Sequence, residues 1–242
     1  MTSIIIPVRY RADLTRVCID SVIGYTNDYE LILVQEGEDK EITELLMAYP
    51  AKFIQNKEPM GFAGAMNTGM KLATGDHYCF LNNDTVVTPH WLEKMLKGFE
   101  NTSVGLVAPT LSGINNRQSI DWNFPKNDPL YREFEELLGE YRMFAVIGVC
   151  FLIPKKVMDE VGKWDESFMD TANGVFGGGE DYDLTIRIDK AGYLLAVARD
   201  VFIYHYWGAS FKELFENDLG RARANAATQF EKVEKKHNIK IL

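Results

Sequence analysis

The first half of the chain alternates short apolar runs with segments in which apolar residues recur at helical spacing. The apolar runs cover residues 4–6, 31–34, 53–54 and 78–81. The first helical segment follows a potential N-cap, Asp13, and the fourth follows Thr88 and Pro89, which suit an N-cap and a first-turn proline. Apolar runs without polar alternation are typical of strands buried on both faces. The pattern therefore predicts an α/β protein with a mostly parallel sheet covered by helices on both sides.

The alternation breaks after Pro109, and the second half of the chain is less regular. The predicted elements, in chain order, are a turn-rich stretch at 112–128, a helix at 130–141, a strand at 144–154, a loop at 163–179, a helix at 180–191, an extended segment at 193–205 and one or two helices at 211–237. A loop as long as the one at 163–179 is usually functional or mobile inside a compact domain.

Composition and charge narrow the class of protein. The 242 residues are 46% hydrophobic and 25% charged, as in ordinary globular proteins, which excludes disordered, collagen-like and disulfide-rich chains. A net charge of −9 repels phosphate backbones, so nucleic acid is not an expected partner. Cys18, Cys79 and Cys150 lie far apart without a C-x-x-C motif and are expected to be reduced core thiols.

The sequence also bears on location. We find no apolar run of the ~18 residues that a membrane span needs and no basic segment of a signal peptide. We therefore expect a cytoplasmic protein without a transmembrane segment.

Polar residues follow each of the apolar runs that we interpret as strands. They are residues 7–10, 35–37, 55–56 and 82–84. Ligands of open α/β sheets bind beyond the carboxyl ends of the strands, so these residues predict a nucleotide crevice. The glycine-rich motifs of dinucleotide dehydrogenases and P-loop NTPases are missing. A bound diphosphate would then need a hard cation, and Asp84 is placed to hold Mg²⁺ or Mn²⁺.

Several ordered motifs make the sequence similar to a known family. The motifs are N-K-E-P-M-G-F-A-G-A-M-N-T-G at 56–69, A-T-G-D at 73–76, L-N-N-D-T at 81–85, V-G-K-W-D-E at 161–166, G-E-D-Y-D-L at 179–184 with Arg187, and His205 with Gly208, Ser210 and Phe211. Together they resemble the family 2 glycosyltransferases of GT-A fold, over about Ser3 to Phe211. The N-N-D-T form of the metal motif is especially like the rhamnosyltransferase-type branch.

The resemblance implies a fold and an activity. The expected fold is GT-A, a Rossmann-like, mostly parallel central sheet flanked by helices, with a C-terminal helical extension. Residues 1–110 would form a nucleotide-binding half, 111–210 an acceptor-binding half, and 211–242 a helical tail. The expected reaction is the inverting transfer of a sugar from a UDP- or dTDP-linked donor to an acceptor hydroxyl, with Mn²⁺ or Mg²⁺ as cofactor. The acceptor is a glycan or another hydroxyl compound, and the C-terminal helices can pair two copies of the chain.

The resemblance also assigns roles to individual residues. Asp84 would bind the metal together with His205, Asp181 would be the general base, and Glu180 would hold the acceptor. The residues implied around the nucleotide are Pro7, Arg9, Glu36, Asn56, Gly61, Asn67, Asn82 and Asn83. Those implied around the acceptor or sugar are Trp164, Gly179 and Glu180.

The sequence departs from the family pattern at the second strand and the metal motif. Residues 34–38 read V-Q-E-G-E where aspartates are usual, Met66 stands where many relatives carry arginine, and Asp84 is the one carboxylate of its motif. A catalytically inactive nucleotide-sugar-binding module is therefore an alternative. A sugar nucleotidyltransferase is a second one, although the glycine-rich loop of such enzymes is missing between Pro7 and Asp13.

Each of these assignments has a plain structural alternative. Asp84 can be a turn residue, Glu180 and Asp181 can be favourable acids at a helix N-terminus, and His205 and Trp164 can be packing residues. Asp183 and Arg187, spaced i, i+4 on the predicted helix, are expected to form only a surface ion pair.

Overall fold

The computed structural model describes residues 1–112, 118–120, 148–170, 175–206 and 219–240. The strands are β1 (Thr2–Val8), β2 (Tyr29–Glu36), β3 (Lys52–Asn56), β4 (His77–Leu81), β5 (Thr85–Val86), β6 (Val104–Ser112), β7 (Ser119–Ile120), β8 (Cys150–Pro154), β9 (Met169–Asp170), β10 (Val175–Phe176) and β11 (Leu194–His205). The helices are α1 (Ala12–Tyr25), α2 (Lys40–Met47), α3 (Gly61–Met70), α4 (Trp91–Lys97), α5 (Lys155–Val161), α6 (Glu180–Lys190) and α7 (Leu219–His237). Short 3₁₀ turns cover Gly98–Glu100 and Glu166–Phe168.

One large sheet has the strand order β3-β2-β1-β4-β8-β6-β11-β5, with β7 paired to β6 beside this path. Strand β1 runs parallel to β2 and β4, and β2 runs parallel to β3, so these four strands end at one edge of the sheet. Strand β8 is antiparallel to its neighbours β4 and β6, and β5 is antiparallel to the end of β11. The predicted mostly parallel sheet is confirmed, with β8 as an antiparallel strand in its middle.

Helices cover both faces of this sheet, which explains the unbroken apolar runs. Ile4 and Ile6 of β1 belong to the same buried cluster as Ile19 of α1. Ile5, between them, faces the other way and packs with Met66 of α3. Helix α3 approaches the sheet closely, because a Cβ at Gly69 would lie 2.4 Å from Cγ2 of Ile5.

Two predicted helix starts are wrong. Residue Arg11, with φ 61°, is the N-cap of α1, and Asp13 lies in the first turn with its carboxylate 2.7 Å from the Arg11 guanidinium. Helix α4 begins after His90, whose φ is 63°. The hydroxyl of Thr88 donates a hydrogen bond to the carbonyl of Phe202 at 2.7 Å, so a tertiary contact replaces the predicted cap.

Other predicted bounds change modestly. The strand predicted over 144–154 is described from Cys150 onward. The predicted loop at 163–179 contains a 3₁₀ turn and the short antiparallel pair β9 and β10. The helix predicted at 130–141, most of the stretch at 112–128, and Gly208, Ser210 and Phe211 lie outside the described residues.

The ion pair on α6 is buried, so the prediction of a surface pair is wrong. The Asp183 side chain has no exposed surface, and it accepts hydrogen bonds from Arg187 Nε at 3.0 Å and His237 Nε2 at 2.8 Å. Lys236 Nζ lies 2.5 Å from the same carboxylate. Burial alone would raise the pKa of Asp183, but the hydrogen bonds from Lys236 and His237 outweigh it and keep the pKa below its usual value. This cluster attaches the end of α7 to α6.

All three cysteines are buried and free, and the Sγ atoms of Cys79 and Cys150 lie 4.0 Å apart. Within the part of the chain that the structure describes, no helix is both long enough and apolar enough to cross a membrane.

Candidate active site

Asp84 and His205 meet where β5 pairs with the end of β11. The register places His205 opposite Thr85, and the amide of Tyr206 donates to the carbonyl of Asp84 at 2.9 Å. The Nε2 atom of His205 lies 3.1 Å from Oδ1 of Asp84. Both side chains are buried, with 4% of Asp84 and 7% of His205 exposed. The structure thus brings the two predicted metal ligands together as one carboxylate and one imidazole.

The two asparagines before Asp84 make hydrogen bonds that fix the loop after β4. The Asn83 amide donates to the carbonyl of Tyr10 at 2.9 Å and to the hydroxyl of Thr15 at 2.8 Å. The carbonyl of Asn82 accepts from the hydroxyl of Thr85 at 2.8 Å. These contacts connect the loop of Asp84 with the segment that joins β1 to α1. The Asn83 amide group thus stabilises the backbone conformation of the site.

Glu180 and Asp181 form an acidic pair at the start of α6. The amide of Gly178 donates to Oε2 of Glu180 at 2.6 Å, and the amide of Gly148 donates to Oδ2 of Asp181 at 3.0 Å. Burial and the neighbouring Asp181 charge raise the pKa of Glu180 to about 7. Lost solvation also raises the pKa of Asp181, although the Gly148 amide opposes it. A carboxylate pair with raised pKa values is suited to accept a proton near neutral pH.

Two backbone hydrogen bonds place Asp181 close to the segment that leads to Asp84. The amide of Asn82 donates to the carbonyl of Val149 at 2.9 Å, which extends the pairing of β4 with β8. The residue before Val149, Gly148, donates a hydrogen bond from its amide to the Asp181 carboxylate at 3.0 Å. A Cβ at Gly148 would lie 2.8 Å from Cβ of Asp181, so the Gly148 backbone lies directly against the Asp181 side chain. The two carboxylates, 97 positions apart in the sequence, therefore belong to one edge of the sheet.

Glu36 and Asn56 lie together at the ends of β2 and β3. The two oxygens of Glu36 accept hydrogen bonds from the Asn56 side chain and from the Met60 amide, both at 2.6 Å. Burial raises the pKa of Glu36, and these hydrogen bonds together with the charge of Arg9 oppose the rise. The carboxylate thus holds the turn that leads to Gly61. At Gly61 a φ of 70° and a Cβ position 2.7 Å from Sδ of Met169 both favour glycine.

The other predicted nucleotide residues near this edge are Pro7 and Arg9. Pro7 lies in β1 opposite Val34 of β2. The Arg9 guanidinium lies 5.0 Å from the centre of the Tyr10 ring. Both residues are half-buried at the end of β1, beside the loop that Asn83 holds.

Asn67 and Trp164, predicted to contact nucleotide and sugar, are both buried and hydrogen-bonded to each other. The Asn67 amide donates to the Trp164 carbonyl at 2.9 Å and to Oε1 of Glu166 at 2.7 Å, and its oxygen accepts from the Trp164 amide at 3.0 Å. Trp164 is fully buried, with ring centres 5.1 Å from Phe80 and 5.2 Å from Phe62. An enclosed ring of this kind presents no face to a sugar.

Sequence reasoning missed several residues that shape the site. Gly148 and Val149 connect the segment of Asp84 with Asp181 through their backbones. In the sequence they belong to an apolar stretch, where the small residue before β8 is the one sign of this role. The Asn225 side chain donates to the carbonyl of Gly177 at 2.8 Å, from a helix that the sequence predicted only as a tail. That contact depends on docking of α7, which no local pattern reveals.

The family described as "Glycosyl transferase family 2" matches residues 3–162, which include the sheet edge with Asp84. This chain belongs to that family. His205 and the acidic pair lie beyond the matched residues.

Relatives among curated proteins are distant and mostly longer. The chain is 24% identical over 229 residues to "O-antigen biosynthesis protein RfbC" of Myxococcus xanthus, covering 86% of this chain and 17% of that protein. It is 28% identical over 194 residues to an uncharacterized glycosyltransferase of Rickettsia typhi, covering 77% of this chain and 58% of the relative. It is 23% identical over 217 residues to "Glycosyltransferase AglE" of Haloferax volcanii, covering 84% and 66%. The chain thus spans only part of these relatives.

Solved structures with the same fold cover nearly the whole chain. The mannosyltransferase PcManGT from Pyrobaculum calidifontis, in complex with GDP-Man and Mn²⁺, matches with a TM-score of 0.68 at 15% identity, over 97% of this chain and 64% of that one. GalNAc-T7 with UDP, GalNAc and Mn²⁺ matches with a TM-score of 0.67 at 17% identity, over 99% and 55%. At such identities the likeness establishes the fold, and the predicted GT-A fold is confirmed.

Proposed function

We propose that this chain is an inverting glycosyltransferase that moves a sugar from a UDP- or dTDP-linked donor to an acceptor hydroxyl with the help of Mn²⁺ or Mg²⁺. The observation that carries the proposal is the shared sheet edge of Asp84 and Asp181, joined through Val149 and Gly148. An inverting transfer needs a proton acceptor on one side of the sugar and a stabilised leaving diphosphate on the other.

The residues at Asp84 fit a divalent cation. A carboxylate oxygen and an imidazole nitrogen are both ligands that Mn²⁺ accepts, and they already lie 3.1 Å apart. Among the described residues no group of three or more His, Cys, Asp or Glu side chains is gathered for a metal. Two protein ligands leave room for diphosphate oxygens and water, as is usual for cations that bridge phosphates. When bound, the cation would neutralise charge that develops on the leaving diphosphate.

The acidic pair supplies the proton acceptor. We assign Asp181 as the general base and Glu180 as the group that holds the acceptor. The Gly148 and Tyr182 amides donate to the two oxygens of Asp181, which orients the carboxylate. The raised pKa of this residue brings its basicity closer to working pH, where a proton acceptor is most effective.

Finer assignments belong to the same proposal. The N-N-D-T motif supports a member of the rhamnosyltransferase-like branch, with a UDP- or dTDP-linked donor. Residues 1–110 form the donor half, 111–210 the acceptor half, and 211–242 the helical tail. Nucleotide contacts are assigned to the end of β1 at Pro7 and Arg9 and to the ends of the next strands.

Location and assembly complete the proposal. The three buried, free thiols support a reducing compartment, the cytoplasm. One face of α7 packs on its own chain through Asn225 and Val233, so pairing of two copies through the C-terminal helices would use another face.

The test measures release of nucleoside diphosphate from UDP-glucose and dTDP-rhamnose, with water as acceptor, in the presence of Mn²⁺. We expect Asp181→Asn to lower the rate about 10²-fold or more, because a positioned base contributes about 10²–10⁴-fold. Asp84→Asn is expected to lower the response to Mn²⁺. Asp189→Asn, on the same helix, is the matched control and should keep the wild-type rate.

The alternatives give different results in the same assay. Nucleotide-sugar binding without turnover by the wild type would favour the inactive binding module. Release of pyrophosphate from a nucleoside triphosphate and a sugar phosphate would favour a nucleotidyltransferase. Equal rates for wild type and Asp181→Asn would overturn the assignment of the base.

A further inference from the structure

The loop before the acidic pair is a run of three glycines in left-handed conformation. Their φ values are 83° at Gly177, 99° at Gly178 and 89° at Gly179. Side chains are strained at such angles, and glycines leave the backbone free to adopt several conformations. The amide of Gly178 nevertheless donates to the Glu180 carboxylate at 2.6 Å. Contacts from other parts of the chain are therefore expected to restrict the loop to this one conformation.

One face of α7 covers this loop. Asn225, Gln229 and Val233 follow each other at intervals of four residues, and all three are buried. The Asn225 amide donates to the carbonyl of Gly177 at 2.8 Å. A Cβ at Gly178 would lie 3.7 Å from Gln229, and a Cβ at Gly179 would lie 3.1 Å from Val233. The helix therefore contacts each residue of the loop, and Asn225 makes the directed contact.

Both ends of this arrangement are anchored. Lys236, near the end of α7, pairs with Asp165 at 2.8 Å and with Asp183, one turn after Glu180. His237 Nε2 donates a hydrogen bond to the same Asp183 carboxylate at 2.8 Å. Helix α7 is thus fixed to α6 by charge at one end and to the glycine loop by Asn225 at the other.

We propose that Asn225 is a positioning residue that holds the Gly177–Gly179 loop so that the Gly178 amide stays directed at the Glu180 carboxylate. The inference deepens the proposed function, since it matters for the reaction only if Glu180 and Asp181 act on an acceptor. Without the Asn225 contact, the Gly177 carbonyl loses its donor and the loop gains other glycine conformations. Glu180 then loses a fixed hydrogen bond, and the acidic pair loses its defined orientation.

Hydrogen exchange tests the positioning directly. The full chain is compared with Asn225→Ala and with Asn225→Asp, which keeps the side-chain volume but cannot donate to the Gly177 carbonyl. Thr228→Ala is the control, because the exposed Thr228 hydroxyl bonds only within its own helix in the contacts described, to Ala224 at 3.0 Å. We expect amide exchange at residues 177–180 to rise about tenfold in both Asn225 variants. It should be unchanged in Thr228→Ala, with residues 230–237 still protected.

Turnover connects the positioning to the reaction. With UDP-glucose or dTDP-rhamnose and Mn²⁺, both Asn225 variants should release nucleoside diphosphate about tenfold more slowly, while the Kd for UDP with Mn²⁺ changes less than about twofold. If Asn225→Asp behaves as wild type and Asn225→Ala raises exchange throughout α6 and α7, the residue only packs and the proposal is overturned. Faster loop exchange with unchanged turnover also overturns it. If the wild type turns over no donor, the proposed function fails, and exchange alone decides whether Asn225 holds the loop.

Discussion

Polar residues around this site fall into two groups according to where their hydrogen bonds go. Asn67 and Asn83 direct their amides to backbone and side chains of other segments. Glu36 accepts from the Asn56 side chain with one oxygen and from the Met60 amide with the other. Asp84 has its contact with His205, at the edge where the strands end. A buried polar group without a partner is costly, so the first group stabilises the shape of the site.

Glu180 shows how strongly a residue can depend on its surroundings. A folded-state pKa of about 7 lies above its usual value of 4.5. The folded protein therefore binds a proton that the unfolded chain releases between these pH values. Its contribution to stability is present below about pH 4.5 and is lost as pH rises towards 7.

Replacement of Glu180 by glutamine should remove this dependence. We expect Glu180→Gln to be more stable than wild type at pH 8 by about 1–3 kcal/mol, and the difference to shrink at pH 5. Urea unfolding at the two pH values measures it. A difference that is the same at both pH values would contradict the raised pKa.

At the scale of elements, the sequence patterns predicted the strands better than the contacts between elements. Residues 4–6 and 31–34 are apolar on both faces, and this pattern alone predicts parallel strands that are buried on both sides. The starts of α1 and α4 were mispredicted, because Asp13 pairs with Arg11 and the Thr88 hydroxyl bonds to Phe202. Whether a polar side chain caps a helix or makes another contact depends on residues that are close in space, and a local sequence pattern does not show these.

The docking of α7 on α6 can be measured through Asp183. Asp183→Asn removes a buried charge that Arg187, Lys236 and His237 surround, and leaves these partners without their anion. We expect the free energy of unfolding to fall by about 3 kcal/mol. Chemical denaturation measures the change.

A matched exposed pair provides the control. Lys155 and Asp159 have the same i, i+4 spacing at 2.8 Å, but both side chains are exposed. Asp159→Asn should change stability by less than about 0.5 kcal/mol. Equal effects of the two substitutions would show that the Asp183 cluster adds nothing beyond a surface pair.

At the scale of the molecule, the site is assembled from parts of the chain that are distant in sequence. The ordered, specific family motifs indicate the residues of this candidate site, such as Asp84 and Asp181, and their roles stay a prediction. The sequence carried no signal for the antiparallel insertion of β8, which links those two residues through Val149 and Gly148. The motifs also predicted that Trp164 contacts a sugar, whereas the structure shows its ring packed against Phe80 and Phe62.

Ligand binding should stabilise the molecule as a unit. With UDP and Mn²⁺ at about 100 times the dissociation constant, the free energy of unfolding should rise by about 2.7 kcal/mol. For a chain of this size that corresponds to an increase in Tm of about 5–10 °C. Differential scanning fluorimetry with and without EDTA measures how much of this increase in Tm depends on the metal.

Asp84→Asn supplies the comparison for this measurement. Because the variant lacks the carboxylate beside His205, we expect its metal-dependent increase in Tm to be smaller than that of the wild type. An equal, EDTA-sensitive increase in both proteins would place the cation elsewhere.

The contact between Asn225 and the glycine loop has a consequence for synthesis of the protein. A ribosome makes the strands, the acidic pair and the loop before it adds the residues of α7 that contact this loop. The nascent chain can form its sheet early, but if Asn225 holds the loop as proposed, Glu180 and Asp181 become ordered only after α7 has left the exit tunnel. Activity would then appear only in chains whose synthesis has passed that helix.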